Sequence, residues 1–275
     1  MAGIADQWVR NARQWNLVGP PLRPSSEDLQ MVEGVIDRWT GEHPAESLRA
    51  ALLGVTPELA TMRWPPDTAL VAMDRSEPMI RAVWPATGLP ARAAVIHADW
   101  RAMPIARGAF NLVAGDGSIN CLAYPHDCRV VAAAVRQMLD AGGLFVLRAF
   151  VRPVERESVA AVAADLVSGR IPNFHVFKWR LHMAVQASTE AGIRLTDTWE
   201  VWNAIRPDPT ALSALGFKET ILGTIEAYRG SATAFTFPTL EELRAVLAKD
   251  FVEISCRMPA YDLGDRCPTF VLRPK

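Results

Sequence analysis

Five short apolar runs, Leu48 to Val55, Ala69 to Met73, Ala93 to Ile96, Phe110 to Ala114 and Leu144 to Leu147, alternate with helical or loop segments in the first half of the chain. A strand covered by helices on both faces reads as an unbroken apolar run, because neither face meets water. That rhythm specifies an open α/β sheet of mostly parallel strands.

The connecting helices are partly legible. Ser25 with Asp28 forms a capping-box pattern, and Leu29, Val32, Val35, Ile36 and Trp39 then share one helical face, which predicts a helix over about 26–40. Ser76 is placed to cap a segment that buries Met79, Ile80 and Val83, and Val130, Val131, Ala134, Val135 and Met138 form a stripe that Gly142 is expected to end. After Phe150 the alternation stops. Helices are expected near 154–168 and 174–191, followed by mixed, Trp-bearing structure to 235. Thr239 with Glu242 repeats the capping-box pattern, and the runs Phe251 to Met258 and Thr269 to Leu272 suggest a terminal antiparallel hairpin. The chain therefore divides into an arm and first helix (1–45), a sheet-forming half (46–150), a helical insertion (151–235), and a last helix with terminal strands (236–275).

Composition narrows the partners. Half of the 275 residues are hydrophobic and 21% are charged, which excludes disordered, collagen-like and disulfide-scaffold chains. Lys plus Arg is 29 against 30 for Asp plus Glu, so the chain lacks the basic field that nucleic acid or an anionic membrane requires. Residues Met1 to Arg10 contain no continuous apolar stretch of the signal-peptide kind, and no apolar run is long enough to span a bilayer. Cys121, Cys128, Cys256 and Cys267 have no C-x-x-C spacing and read as free thiols. A cytoplasmic protein is expected, and a metal site is not.

Ligands of open parallel sheets bind beyond the carboxyl ends of the strands, so the residues that follow each run carry the information. They are Gly54-Val55-Thr56-Pro57-Glu58, Met73-Asp74-Arg75, His97-Ala98-Asp99-Trp100 and Gly115-Asp116-Gly117-Ser118. Asp74 follows Gly54 at the offset from which an acid reaches a ribose diol in βαβ nucleoside sites; the alternative is a cap on its own helix. The first turn departs from G-x-G-x-x-G: Thr56 at the N-cap, Pro57 at the first helical position and Glu58 in the first turn start a helix, but they place negative charge where a pyrophosphate would sit. A cationic nucleoside suits that turn better than NAD.

This order of strand, glycine turn, ribose acid, second acid and loop after the fourth strand resembles the class I S-adenosylmethionine-dependent methyltransferases over about residues 46–150 and the terminal strands. The resemblance implies a seven-stranded Rossmann-like sheet with S-adenosyl-L-methionine as cofactor. The family's three turn glycines fall on Gly54, Thr56 and Glu58. By resemblance Asp74, with Arg75 beside it, holds the ribose, Met79 packs near the adenine, Asp99 and Trp100 contact its amine and edge, and Gly115, Asp116, Gly117 and Ser118 line the methionine end. Asp116, Glu58 and either Trp8 or Trp15 could face the sulfonium cation. The loop lacks the Asn-Pro-Pro-aromatic run that the family uses on amides and exocyclic amines, so a different small-molecule acceptor is implied. Trp15, Asn120, Tyr124 and His126 are its candidate contacts, with His126 the general base by type and a helix-start position as the alternative. His175 and His182 fall on one face of a helix that could cap a substrate, and the insertion could instead pair two copies as a homodimer.

A short-chain dehydrogenase would need Tyr-x-x-x-Lys; the tyrosines here are followed at that spacing by Cys128, Ala232 and Asp265. P-loop, zincin and nucleophile-elbow motifs are likewise missing. The other rival is a non-catalytic methyltransferase-like module that binds a nucleoside or acts through partners.

Overall fold

The computed structural model describes the backbone of residues 4–275 and the side chains from Gln7 onward, so Met1–Gly3 of the arm lie outside the described residues. The strands are β1 (Arg49–Leu53), β2 (Ala69–Asp74), β3 (Arg92–His97), β4 (Phe110–Asp116), β5 (Leu139–Arg148), β6 (Ile193–Arg194), β7 (Ala234–Phe235), β8 (Phe251–Arg257) and β9 (Thr269–Pro274). Seven of them form one sheet in the order β3-β2-β1-β4-β5-β9-β8. The contacts among β1 to β5 are parallel, and β9 runs antiparallel to both β5 and β8. The strand order reverses between β1 and β4, the place where ligands bind in doubly wound sheets.

Helices α1 (Ile4–Arg13), α2 (Ser26–Glu42), α3 (Pro57–Thr61), α4 (Glu77–Val83) and α5 (His126–Met138) belong to the first half of the chain. Side chains alternate across a strand, so β1 sends Ala50 and Leu52 to one face and Ala51 and Leu53 to the other. The first face packs on Val32, Ile36 and Trp39 of α2 and on α3 and α4. The second packs on Val131 and Val135 of α5 and on Leu243 and Val246 of a late helix. A core of three layers results, in which each fully buried Leu or Phe contributes about 1.5–3 kcal/mol. Both predicted capping boxes close: Ser25 with Asp28 at α2, and Thr239 with Glu242 at that late helix.

Gly142 does not end α5. The helix stops at Met138 with Leu139 already extended, and Gly142 lies inside β5, whose pairing with β4 shifts register between Phe110 and Leu112. At the neighbouring Gly143 a Cβ would come within 2.9 Å of the Leu139 side chain and 3.1 Å of the Asn111 carbonyl, so the crowding of this irregular edge requires glycine there.

The segment after Phe150 contains α6 (Val159–Val167), α7 (Phe174–Val185), α8 (Leu195–Ile205), α9 (Pro209–Ala214) and α10 (Glu219–Leu222); α11 (Leu240–Leu247) is the late helix that returns to the sheet. Helices α6 to α8 bury their own cluster around Phe174, Phe177 and Trp202. Phe150, Trp179, Met183 and Phe237 join that cluster to the sheet. No helix among the described residues is long and apolar enough to cross a membrane.

The sheet rim is fixed by a buried ion cluster. Arg148, at the end of β5, places its guanidinium 2.5 Å from Asp116 and 3.1 Å from Asp28, and donates to the Pro21 carbonyl at 2.6 Å and the Tyr261 hydroxyl at 2.9 Å. Removing one partner of such a cluster leaves uncompensated charge, which costs about 3–5 kcal/mol. Arg148→Met is therefore expected to lower the unfolding free energy by about that amount in urea titrations, with part of the loss recovered by adding Asp116→Asn.

Candidate functional site

The carboxyl ends of β1 to β4 form one rim of the sheet, and α1 lies across it as a roof. Two cavities open along the rim. The smaller, about 40 Å³, lies at the ends of β2 and β3 between Asp74, Arg75, Asp99 and Trp100. The larger, about 150 Å³, lies at the ends of β1 and β4, with Thr56, Asp116 and Gly117 on its floor. Trp15 and Gln14 of the arm and Phe150, Lys178, Trp179 and Tyr228 close its walls. Trp8 and Cys121 line both cavities, so the two form adjoining compartments of one groove.

Local folding explains how the rim carries these residues. Gly54 adopts φ +110, a conformation that side chains rarely tolerate, and a Cβ there would stand 3.7 Å from the Trp100 indole and 4.0 Å from Asp74 Oδ2. Asp74 accepts from the Ser76 backbone N–H at 2.7 Å through Oδ1, and Ser76 in turn caps α4. Among the described residues Oδ2 receives no side-chain partner. Burial pushes the Asp74 carboxyl above its usual range, against the hydrogen bond from Ser76. Trp100 is held across the rim by donation from its Nε1 to the Met73 carbonyl at 2.6 Å. Gly117, at φ +60, brings the loop under Phe150, where a Cβ would come within 2.8 Å of the ring.

Several predicted site residues serve other tasks. Asp99 accepts from Arg101 at its backbone N–H and through both guanidinium edges, which holds its carboxyl at about 2. Asp116 lines the larger cavity but is bound to Arg148, and burial pushes its carboxyl upward. Glu58 pairs with Arg23 at 2.5 Å, so the negative charge expected to stand open on the first turn is neutralised by the arm. Thr56 occupies the N-cap of α3, yet its side chain makes no capping bond. Pro57 follows at the first helical position and lines neither compartment. Met79 is 4% exposed and packs in the core beneath α4. Gly115 and Ser118 lie behind the floor, with Ser118 Oγ 2.5 Å from where a Gly115 Cβ would be.

The acceptor candidates separate in the same way. Trp15 lines the larger cavity, with the Arg23 guanidinium 5.1 Å from its ring centre. Asn120 is in the wall too, but its amide is committed to the backbone. Its amide donates to the Phe150 and Thr236 carbonyls at 2.7 Å, and its oxygen accepts from the Phe150 N–H at 2.9 Å. Tyr124 donates to the Glu242 carbonyl at 3.3 Å, and the exposed His126 starts α5 beside Asp127; neither lines the groove. The base chosen by side-chain type thus stands outside the site, because α5 begins at His126 and turns it to water.

Sequence reasoning passed over Lys178, Trp179, Tyr228 and Gln14, all in the cavity wall. The available signal was a lysine in the middle of the aromatic segment Phe174 to Val185. His175 and His182 flank it on α7: His175 Nε2 donates to the Leu17 carbonyl at 3.0 Å, and His182 Nδ1 lies 2.6 Å from Thr198 Oγ1. Burial lowers the first to about 4 and the second to about 3. Among the described residues, the indole N–H groups of Trp8 and Trp15 are buried without a partner. Among the described residues no three His, Cys, Asp or Glu side chains gather as a metal would require.

No protein-family model and no curated protein sequence matches the chain. Solved structures do. A Rhodobacter sphaeroides protein provisionally described as a Zn-dependent alcohol dehydrogenase superposes with TM-score 0.62 at 13% identity, covering 100% of both chains. The CurJ carbon methyltransferase gives 0.52 at 12% identity over 92% of this chain and 56% of its own. A Burkholderia thailandensis 1,6-didemethyltoxoflavin-N1-methyltransferase, solved with S-adenosylhomocysteine, gives 0.51 at 10% identity over 98% and 87%. These likenesses establish a shared fold, the Rossmann-like sheet of methyltransferases.

The two buried histidines predict acid sensitivity. Each binds a proton in the unfolded chain near pH 6.5 and only at lower pH in the folded one, so stability is full above that value and falls as pH drops toward 4. His182→Asn, which preserves a bond to Thr198, should flatten urea-measured stability between about pH 7 and pH 5 by up to about 1.4 kcal/mol per pH unit.

Proposed function

We propose that this chain is an S-adenosyl-L-methionine-dependent methyltransferase acting on a small-molecule acceptor. The observation that carries the reading is the divided groove: an acid-lined compartment at β2 and β3 adjoins an aromatic one at β1 and β4, with Trp8 and Cys121 between them. Two of the structures that share the fold are methyltransferases by description, one of them solved with S-adenosylhomocysteine.

The residues present fit such a cofactor. Asp74 Oδ2 is an acceptor at the sheet rim, suited to a ribose diol, with Arg75 alongside. Gly54 leaves open backbone beside it, and the Trp100 indole offers a flat apolar face for a purine. Thr56, Asp116 and Gly117 remain for the amino-acid end, and the unpaired N–H groups of Trp8 and Trp15 can donate to a carboxylate or acceptor oxygen. Asp116, tied to Arg148, supplies an oriented ion pair rather than a free anion. When bound, the cofactor supplies an already activated methyl group, so the protein's task is in-line positioning in a dry cavity. The aromatic walls exclude water and favour a cation nearby.

A non-catalytic module that acts through partners is the reading favoured by Asp99, because Arg101 already occupies both oxygens that would meet an adenine amine. Thermal shift separates the possibilities. S-adenosylhomocysteine at 100 times its dissociation constant should stabilise the native state by about 2.7 kcal/mol. Transfer of labelled methyl to an acceptor then distinguishes enzyme from module. Stabilisation by NADH in its place would sink the reading in favour of an oxidoreductase. Asp74→Asn, which keeps an oxygen to accept from the Ser76 N–H, should leave the melting temperature of the free protein nearly unchanged. It should weaken S-adenosylhomocysteine by about tenfold or more, the worth of charge-assisted hydrogen bonds.

A further inference from the structure

The chain has four lysines, Lys178, Lys218, Lys249 and Lys275, among its 29 basic residues, and one of them sits in the cavity wall. Lys178 has no surface open to bulk water. Its Nζ donates to Thr224 Oγ1 at 2.9 Å and lies 5.5 Å from the Tyr228 ring centre. Thr224 Oγ1 in turn donates to the Ile221 carbonyl. A buried ammonium normally has a carboxylate partner, and Lys178 has no salt bridge among the described residues. The ionisable groups beside it on α7, and those that share the lining of its compartment, are engaged or held neutral. His175 and His182 stay unprotonated on α7, the Tyr228 hydroxyl is pushed upward by burial, Cys121 is pushed up to about 12, and Asp116 is bound to Arg148. Burial alone lowers the Lys178 amine to about 7, so the position holds an amine that gains or loses a proton near neutrality.

Flat rings form much of the wall of this compartment. Trp15, Phe150, Trp179, Tyr228 and Phe235 wall it, and Gln14 reaches over it to the Thr224 carbonyl at 3.1 Å. A planar aromatic guest fills such a slot, and a hydroxyl or ring N–H on that guest meets the lysine.

We propose that the aromatic compartment binds a planar aromatic acid, a phenol or acidic heteroaromatic N–H, and that the Lys178 amine takes its proton and holds the resulting anion. In this role the amine turns from Thr224 toward the cavity. The guest's O–H or N–H bond breaks, its electron pair stays on oxygen or nitrogen, and the proton joins Nζ, so a neutral pair becomes an ammonium and an aromatic anion with no other reactant. As the acceptor site of a methyl transfer, this rests on the reading above; as a binding site, it stands apart from it.

The probe is 4-nitrophenol, whose anion absorbs in the visible, titrated without nucleoside at a pH where the free dye is mostly protonated. The wild-type protein should bind it as the anion, with a visible band that saturates. Lys178→Met keeps the shape and removes the charge site, so it should fold as well or better. It should bind the dye about tenfold or more weakly and without the band, while nitrobenzene, which has no proton, keeps its affinity within about twofold. Dye bound in the protonated form, an anion band as strong in Lys178→Met, or no binding of dye by the wild type would each overturn the proposal. The wild-type spectrum decides alone if the variant does not fold. Failure of S-adenosylhomocysteine to bind, with the dye still ionised, would count against methyl transfer and leave this site standing.

Discussion

Arg148 is the point on which the rim depends. Its guanidinium sits among Asp116 from the end of β4, Asp28 from the first turn of α2, the Pro21 carbonyl from the arm and Tyr261 from the loop before β9. Segments far apart in the chain thereby meet on one buried cation. Two carboxylates share a single positive charge, and burial pushes Asp116 upward even so. The price of enclosing so much charge is offset only if all the partners are held at once, which makes the cluster a device for registering the arm, the sheet and the terminal strands against one another. The groove inherits its shape from that registration, since Asp116 forms part of its floor and Phe150, two residues beyond Arg148, forms part of its wall.

The arm completes the site by contacts to both sides of the groove. Arg23 binds Glu58 on the sheet side. Gln14 reaches the Thr224 carbonyl, Arg10 the Arg229 carbonyl, and the Leu17 carbonyl receives His175, all on the insertion side. Trp8 and Trp15 are carried into the groove between those anchors. A roof tied in this manner covers the compartment, and burial is what lowers Lys178 in its wall and the two histidines on the same helix.

What could be read in the sequence follows from how local each signal is. The strands were legible because burial on both faces leaves an unbroken apolar run, and the capping boxes because all their atoms lie within four residues. Asp74 was legible as a strand-end acid, since the end of an apolar run marks the rim. Gly142 misled because a helix stop and an irregular strand entry both accept glycine, and only the pairing with β4 decides between them. Asn120 looked available for a substrate, but its partners, 30 and 116 positions away, engage both N–H donors and the oxygen with backbone. Lys178 escaped notice because the insertion has no sheet register to say which residues face the rim.

The lone Gly54 shows why the variant turn is compatible with a groove. In a dinucleotide site several glycines clear backbone for a pyrophosphate and the helix start supplies positive potential. Here α3 is only five residues long and its acid is paired with Arg23, so the turn offers neither a strong dipole nor an open charge. What it must still provide is the turn itself: Gly54 sits at φ +110, which side chains rarely adopt, while the Trp100 ring and Asp74 Oδ2 stand at ordinary contact distance, 3.7 and 4.0 Å, from where a Cβ would be. One positive-φ glycine meets that requirement. Thr56 and Glu58, where the resemblance places further glycines, are released to line the larger cavity and to anchor the arm.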